Sequence, residues 1–192
     1  EIKKEFFEIT GEKFDYLCAL DNPDKVNGFD EINTISKTMF YSDPFNGYFD
    51  ALIDLKYDYK KEYLKLAQYF KTCTINSKYS YLFDCMSKFC QVLSIKFELG
   101  RRTRVVYQKK DEAMLIELIK DYSKLERYLN VFYKSFKALW YKENKSEGFD
   151  VQELRFGGLF LRVKSCKTAL KQFLNGEIGN ISELDTELLD CL

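Results

Sequence analysis

KLERYLNVFYKSFKALW, residues 124–140, carries apolar side chains at Leu125, Tyr128, Leu129, Phe132, Phe136, Leu139 and Trp140 with lysines between them. Steps of three and four residues place these on one face of an α-helix, and the unbroken stripe demands a partner surface of the same kind. Working outward, Asp111 caps a preceding helix with Met114, Leu115, Leu118 and Ile119, and Asp121 to Ser123 separates it from the stripe. On the other side, Asn144 to Asp150 reads as a polar loop with Gly148. Beyond it Leu159, Val163, Cys166, Leu170, Phe173 and Leu174 define a further helix that stops at Asn175-Gly176. Ser182-Glu183-Leu184-Asp185 then opens a short helix in the manner of a capping box.

Towards the amino terminus, Leu82, Cys85, Met86, Phe89, Cys90, Val92, Leu93 and Phe97 form a wide apolar face, which predicts a central helix opened by Ser77 to Ser80. Past Gly100, Val105, Val106 and Tyr107 continue the rows, predicting a continued or kinked helix to about Lys109. An amphipathic helix is expected from about Asp58 to Lys71. Asp43-Pro44 predicts an N-cap and first turn for a helix through Tyr48, Phe49 and Leu52. Asp21 to Pro44 is the longest irregular stretch, and residues 1–20 suggest two short helices broken at Thr10-Gly11, with Thr10 capping the second. The expected fold is all-α, a helical bundle of about seven or eight helices over residues 1–192.

Composition agrees with long helices. Nine glycines and two prolines in 192 residues are about half of average usage, which leaves few tight turns. With 30 basic and 30 acidic residues there is no net field to gather nucleic acid or an anionic membrane. No apolar run approaches a transmembrane span; the longest, Phe156 to Leu161, contains two glycines. The chain holds no histidine, so His-based zinc and haem sites and Ser-His or Cys-His nucleophiles are excluded. The six cysteines, at 18, 73, 85, 90, 166 and 191, lack knuckle spacing, and Cys85, Cys90 and Cys166 fit a packed core. They predict reduced thiols and a cytoplasmic location. No metal, cofactor or catalytic residue is expected. The start at Glu1-Ile2-Lys3-Lys4 has neither an initiator Met nor a signal peptide, and reads as a piece of a longer chain.

Three features stand out as chemistry. The adjacent acids Asp30-Glu31 and Asp111-Glu112 read as solvated loop acids and a helix opening. The basic run Arg101, Arg102, Arg104, Lys109 and Lys110 does not share one helical face and reads as a solvated or ion-paired surface. The glycine pair Gly157-Gly158, early in a helical pattern, costs about 2 kcal/mol relative to alanine. Something must require the missing side chains: either a crossing with the Leu125 to Trp140 helix or a surface outside this chain.

Glu143-Asn144-Lys145, then Gly148-Phe149-Asp150-Val151-Gln152-Glu153-Leu154-Arg155-Phe156-Gly157-Gly158-Leu159, Arg162, Ser165-Cys166 and Leu174-Asn175-Gly176 resemble the carboxy-terminal helical region of bacterial β-N-acetylhexosaminidases of glycoside hydrolase family 20. Tyr41-Ser42-Asp43-Pro44-Phe45 with Gly47, Leu99-Gly100 with Arg104 and Tyr107, and Trp140 extend the match in the same order. The resemblance implies a parent chain with a small α/β domain, a (β/α)8 catalytic barrel and this helical piece, with residues 1–20 a remnant of the connection from the barrel. In that family a His-x-Gly-x-Asp-Glu motif on the barrel supplies the general acid Glu and an Asp that orients the substrate's acetamido group. No position here matches it, so no catalytic residue carries over.

The resemblance therefore implies a non-catalytic domain of an enzyme releasing terminal GlcNAc or GalNAc. Its partner is the barrel of the same chain, with a homodimer surface as a second role. Carbohydrate is met only through the parent, and neither nucleic acid nor membrane is expected as a partner. The docking residues are expected to be Gln152, Arg155, Gly157 and Gly158, because a flat backbone surface beside a guanidinium suits a carbonyl edge or carboxylate of the barrel. Two rival readings are a free-standing protein- or nucleic-acid-binding module working through Arg101 to Lys110, and a free-standing sensor bundle.

Overall fold

A computed structural model describes residues 1–26, 29 and 34–188. Among these there are nine α-helices and no strand: α1 (Ile2–Thr10), α2 (Phe14–Cys18), α3 (Ile35–Tyr41), α4 (Tyr59–Cys73), α5 (Ser80–Lys96), α6 (Leu99–Lys109), α7 (Glu112–Glu143), α8 (Phe149–Leu174) and α9 (Ser182–Asp185). Short 3-10 turns occupy Ala19–Asp24 and Asp50–Leu52. The all-α expectation holds.

The layers follow from the apolar stripes. α4 packs on α5, α5 on α7 and α7 on α8, so α5 sits centrally and α8 lies at one edge with α7 as its main neighbour. α5 earns its position by burying Phe83, Cys85, Cys90, Val92, Leu93 and Ile95. Between α3, α7 and α8 an aromatic cluster of Phe40, Phe132, Phe136, Phe149 and Phe156 meets at ring spacings of 5.5 to 6.2 Å. Such offset and edge contacts add to area burial. Asp58 accepts from the Lys61 amide at 2.9 Å to cap α4, and Asp111 accepts from the Met114 amide at 3.0 Å to cap α7, which is the opening role expected of Asp111-Glu112.

Several local expectations give way to tertiary packing. Asp121 to Ser123 does not interrupt the chain: α7 is one helix of 32 residues, with Tyr122 fully buried against Thr103. No helix follows Asp43-Pro44. The Asp43 carboxylate accepts from the amides of Phe45 and Asn46, closing a turn instead. Within the stretch read as irregular, α3 forms because Ile35, Met39 and Phe40 insert into the core. Thr10 does not cap α2, whose N-cap is Lys13; its hydroxyl donates back to the Phe6 carbonyl at 2.7 Å, and Gly11 ends α1 at φ 73°. Ser182 does not cap α9 either, since the N-cap is Ile181. The interruption near Gly100 falls just before it, at Phe97 and Glu98. The readings of Asp30-Glu31 and Cys191 lie outside the described residues.

Candidate docking surface

The residues shared with the hexosaminidase resemblance separate into two groups, one inside the molecule and one on its surface. The first meets at the loop between α3 and the Asp50–Leu52 turn. Arg162 on α8 grips the Asp43 carboxylate through Nε at 2.6 Å and Nη2 at 3.0 Å, and reaches Glu183 with Nη2 at 2.5 Å. Burial pushes the Asp43 carboxyl up, but Arg162 and the two amides outweigh it and hold it below the ordinary range. Arg104, 2% exposed, donates to the carbonyls of Phe45, Glu183 and Leu184 at 2.9 to 3.1 Å and also to that of Thr186. One guanidinium thus ties α6 to the loop and to the carboxy-terminal segment. Tyr107 works beside it, donating to Asp185 and accepting from the Ile181 amide, both at 2.9 Å.

Asp50 lies at the centre of this region, 1% exposed, between Gly47 and Gly100. A Cβ on either glycine would collide with its carboxylate. Lys96, also 1% exposed, donates to the carbonyls of Met39 and Ser42 at 3.1 and 2.6 Å. Burial raises the Asp50 carboxyl to about 6 against the pull of Lys96 and Arg104, and lowers the Lys96 ammonium to about 8 against the pull of Asp50 and Asp43. Asp50, Lys96 and Arg104 fasten the chain to itself, and none of the three lines either recess beside α8.

The second group is the outer side of α8. Gly157 and Gly158 are both exposed, and a Cβ built on either meets nothing within 4 Å. Internal helix crossing therefore does not explain the pair. Around them the outer face reads Val151, Leu154, Gly157, Gly158, Leu161, Ser165 and Thr168, without a charge over five turns. Val151, Leu154 and Leu161 are 50%, 76% and 65% exposed. The opposite face buries Phe156, Leu159, Val163, Cys166 and Leu170. A helix apolar on both sides is built to be covered on both sides.

Two recesses flank this ridge. On the α7 side a groove of about 380 Å³ has Gly157 in its wall with Leu129, Tyr133, Phe160 and Leu161. On the other side a polar pocket of about 480 Å³ lies between α3, the loop after it and α8, lined by Lys37, Tyr41, Ser42, Asn46, Tyr48 and Arg155. The Arg155 guanidinium rests 4.3 Å from the Tyr41 ring centre. Of the four residues expected to dock, Arg155, Gly157 and Gly158 are all exposed, with Arg155 and Gly157 on opposite flanks of the α8 ridge and Gly158 on the ridge between them. Gln152 is half-buried and lines a neighbouring recess with Phe40, Phe136 and Trp140, which shares Lys37 and Tyr41 with the Arg155 pocket.

Leu154 and Leu161 were not singled out from sequence. Their signal is a second apolar row on α8, offset by half a turn from the first. The basic run is dispersed as expected, with one correction: Arg104 is buried, not solvated. Arg102 is paired with Glu98 and Asp121. Among the described residues no group of carboxylates and thiols has the geometry of a metal site, and no helix is long and apolar enough to cross a membrane. Cys73, Cys85, Cys90 and Cys166 are buried free thiols and Cys18 is exposed.

A family model described as the Glycoside Hydrolase 20C C-terminal domain matches residues 13–192. No curated protein matches the chain.

Proposed function

The chain belongs to the glycoside hydrolase 20C C-terminal domain family, and on that premise we propose that it is the non-catalytic helical domain of a β-N-acetylhexosaminidase whose catalytic barrel covers the outer face of α8. The enzyme as a whole removes terminal GlcNAc or GalNAc, and this domain contributes no reacting group.

The observation that carries the proposal is the uncharged outer row of α8, with Leu154 and Leu161 in solvent and Gly157-Gly158 unused by any internal contact. Covering Val151, Leu154 and Leu161 would contribute about 1.5–3 kcal/mol for each side chain brought from full exposure to full burial. That is enough to hold two domains of one chain together, because the connection removes most of the entropy cost of association. The glycines let the partner's backbone or a bulky side chain approach the helix axis closely. The other matched residues, Asp43, Gly47, Gly100, Arg104 and Arg162, already have internal partners, which leaves this face as the part of the pattern that the chain does not use itself. The buried reduced thiols support a reducing compartment, the cytoplasm.

The direct functional test is hydrolysis of a chromogenic N-acetylglucosaminide. The 192-residue chain alone is expected to give no turnover, whereas the barrel-containing enzyme is expected to be active. Turnover by the chain alone, free of contaminating enzyme, would overturn the non-catalytic role.

A further inference from the structure

The proposed docking says that the barrel covers α8; the two recesses beside the ridge say what that covering surface must carry. We infer that it presents a carboxylate into the polar pocket, where Arg155 binds it, and an apolar side chain into the groove walled by Gly157. This rests on the reading that the barrel is the partner.

The case for a carboxylate begins with charge. The pocket is lined by two cations, Lys37 and Arg155, and neither has an ion-pair partner among the described residues. Its one acidic wall residue, Asp43, has both oxygens bound by Arg162, a cation it shares with Glu183, and it pairs with neither Lys37 nor Arg155. Arg155 is held in place by the Tyr41 ring beneath it, an arrangement that orients the fork of donors while leaving its edge open. The Ser42 hydroxyl is turned away from the pocket, buried beside Gly47 and Asp50. A carboxylate answers both cations, taking two parallel bonds from Arg155 with the Lys37 ammonium lining the same pocket. A backbone carbonyl would supply a single acceptor and leave the two positive charges facing each other in a closed interface.

The groove on the opposite flank has the complementary character. Leu129, Phe156, Phe160 and Leu161 make it apolar, and Gly157 keeps one wall clear of a side chain. An aliphatic or aromatic side chain entering there would share the face with Leu161 while the carboxylate fixes register on the other side.

The test uses the full-length enzyme. Ser165, exposed on the uncharged row, is replaced by cysteine in a Cys18→Ser background, and its maleimide labelling rate is measured under native conditions and resolved by peptide mass. The inference expects protection in the parent, at least tenfold faster labelling after Arg155→Glu, a smaller increase after Lys37→Glu, and partial retention of protection after Arg155→Lys. Gly157→Leu, which fills the groove, is expected to accelerate labelling as well. If Ser165→Cys labels freely before any further change, the face is open and the docking reading itself fails. If it is protected and stays so after Arg155→Glu, docking stands and the carboxylate is rejected. If it is opened by Arg155→Glu but not by Gly157→Leu, the apolar half is rejected. Protection that falls on dilution of the enzyme would mean that a second copy covers the face, which overturns the inference.

Discussion

The Asp50 carboxylate occupies the space that a side chain on Gly100 would need. Gly100 lies in the first turn of α6, where alanine would ordinarily be favoured by about 1 kcal/mol. Gly100→Ala is therefore expected to destabilise the protein by about 2 kcal/mol or more, since the acid has no free space to retreat into. Urea unfolding measures this, and a neutral or stabilising result would contradict the placement of Asp50.

Gly157 and Gly158 should behave in the opposite way. They sit inside α8 with open space where a Cβ would go, so Gly157→Ala and Gly158→Ala are each expected to stabilise the chain by about 0.5–1 kcal/mol. A loss at either position in the same urea measurement would restore the internal crossing as its explanation.

The buried charges predict a pH dependence with a definite sign. The Asp50 carboxyl is raised from 3.8 to about 6 in the folded protein. Well below pH 3.8 it is protonated whether folded or unfolded, and it carries no penalty. Between pH 4 and 6 the unfolded chain ionises first, so stability due to this group falls as pH rises. Asp50→Asn removes the titration. Its stability relative to the parent should improve across that interval by up to about 3 kcal/mol, followed by urea unfolding at several pH values. Lys96 acts in a separate window. Its ammonium is lowered from 10.5 to about 8, so the cost of burying the charge is relieved as pH rises from 8 towards 10.5. An Asp50→Asn difference that is flat with pH would show that this carboxyl is not buried as described.

Arg104 is expected to hold the carboxy-terminal segment. Arg104→Ala leaves the carbonyls of Phe45, Glu183 and Leu184 without this donor, and a loss of about 3 kcal/mol or more is expected by denaturant unfolding. Arg104→Lys should not restore it, because one ammonium cannot serve carbonyls spread across the fork of a guanidinium. Full rescue by lysine would argue that charge alone, and not the planar geometry, fastens the segment.

What could be read from sequence depended on how far each signal reached along the chain. The stripes of α4, α5, α7 and α8 and the cap at Asp111 are local, and the all-α architecture follows from them directly. Asp43-Pro44 misled because the same short acid that caps a helix also closes a turn, and the distant Arg162 decided between them. α3 stayed hidden because its seven residues carry little periodicity and are held by core contacts from α5. At the docking face, Gly157-Gly158 and Arg155 were visible as anomalies. Gln152, two residues after Asp150, sits at a different register of α8, half-buried in a recess with Trp140. Leu154 and Leu161 form a sparser row than the inner stripe of the same helix, so their sequence signal is weaker. Asp50 and Lys96 themselves carry no local sequence signal, since they come from separate segments; only Gly47, Gly100 and Arg104 around them stand out, through the family resemblance.

The most direct test of the central claim, that the outer face of α8 is reserved for the catalytic barrel, is Gly158→Leu measured in two settings. In the isolated 192-residue chain the added side chain points into open space, so the account predicts an unfolding free energy within about 0.5 kcal/mol of the parent or slightly above it. In the full-length enzyme the same substitution should separate the domain from the barrel, seen as two calorimetric transitions in place of one coupled transition. A loss of about 2 kcal/mol or more in the isolated chain, or unchanged coupling in the full-length enzyme, would contradict it.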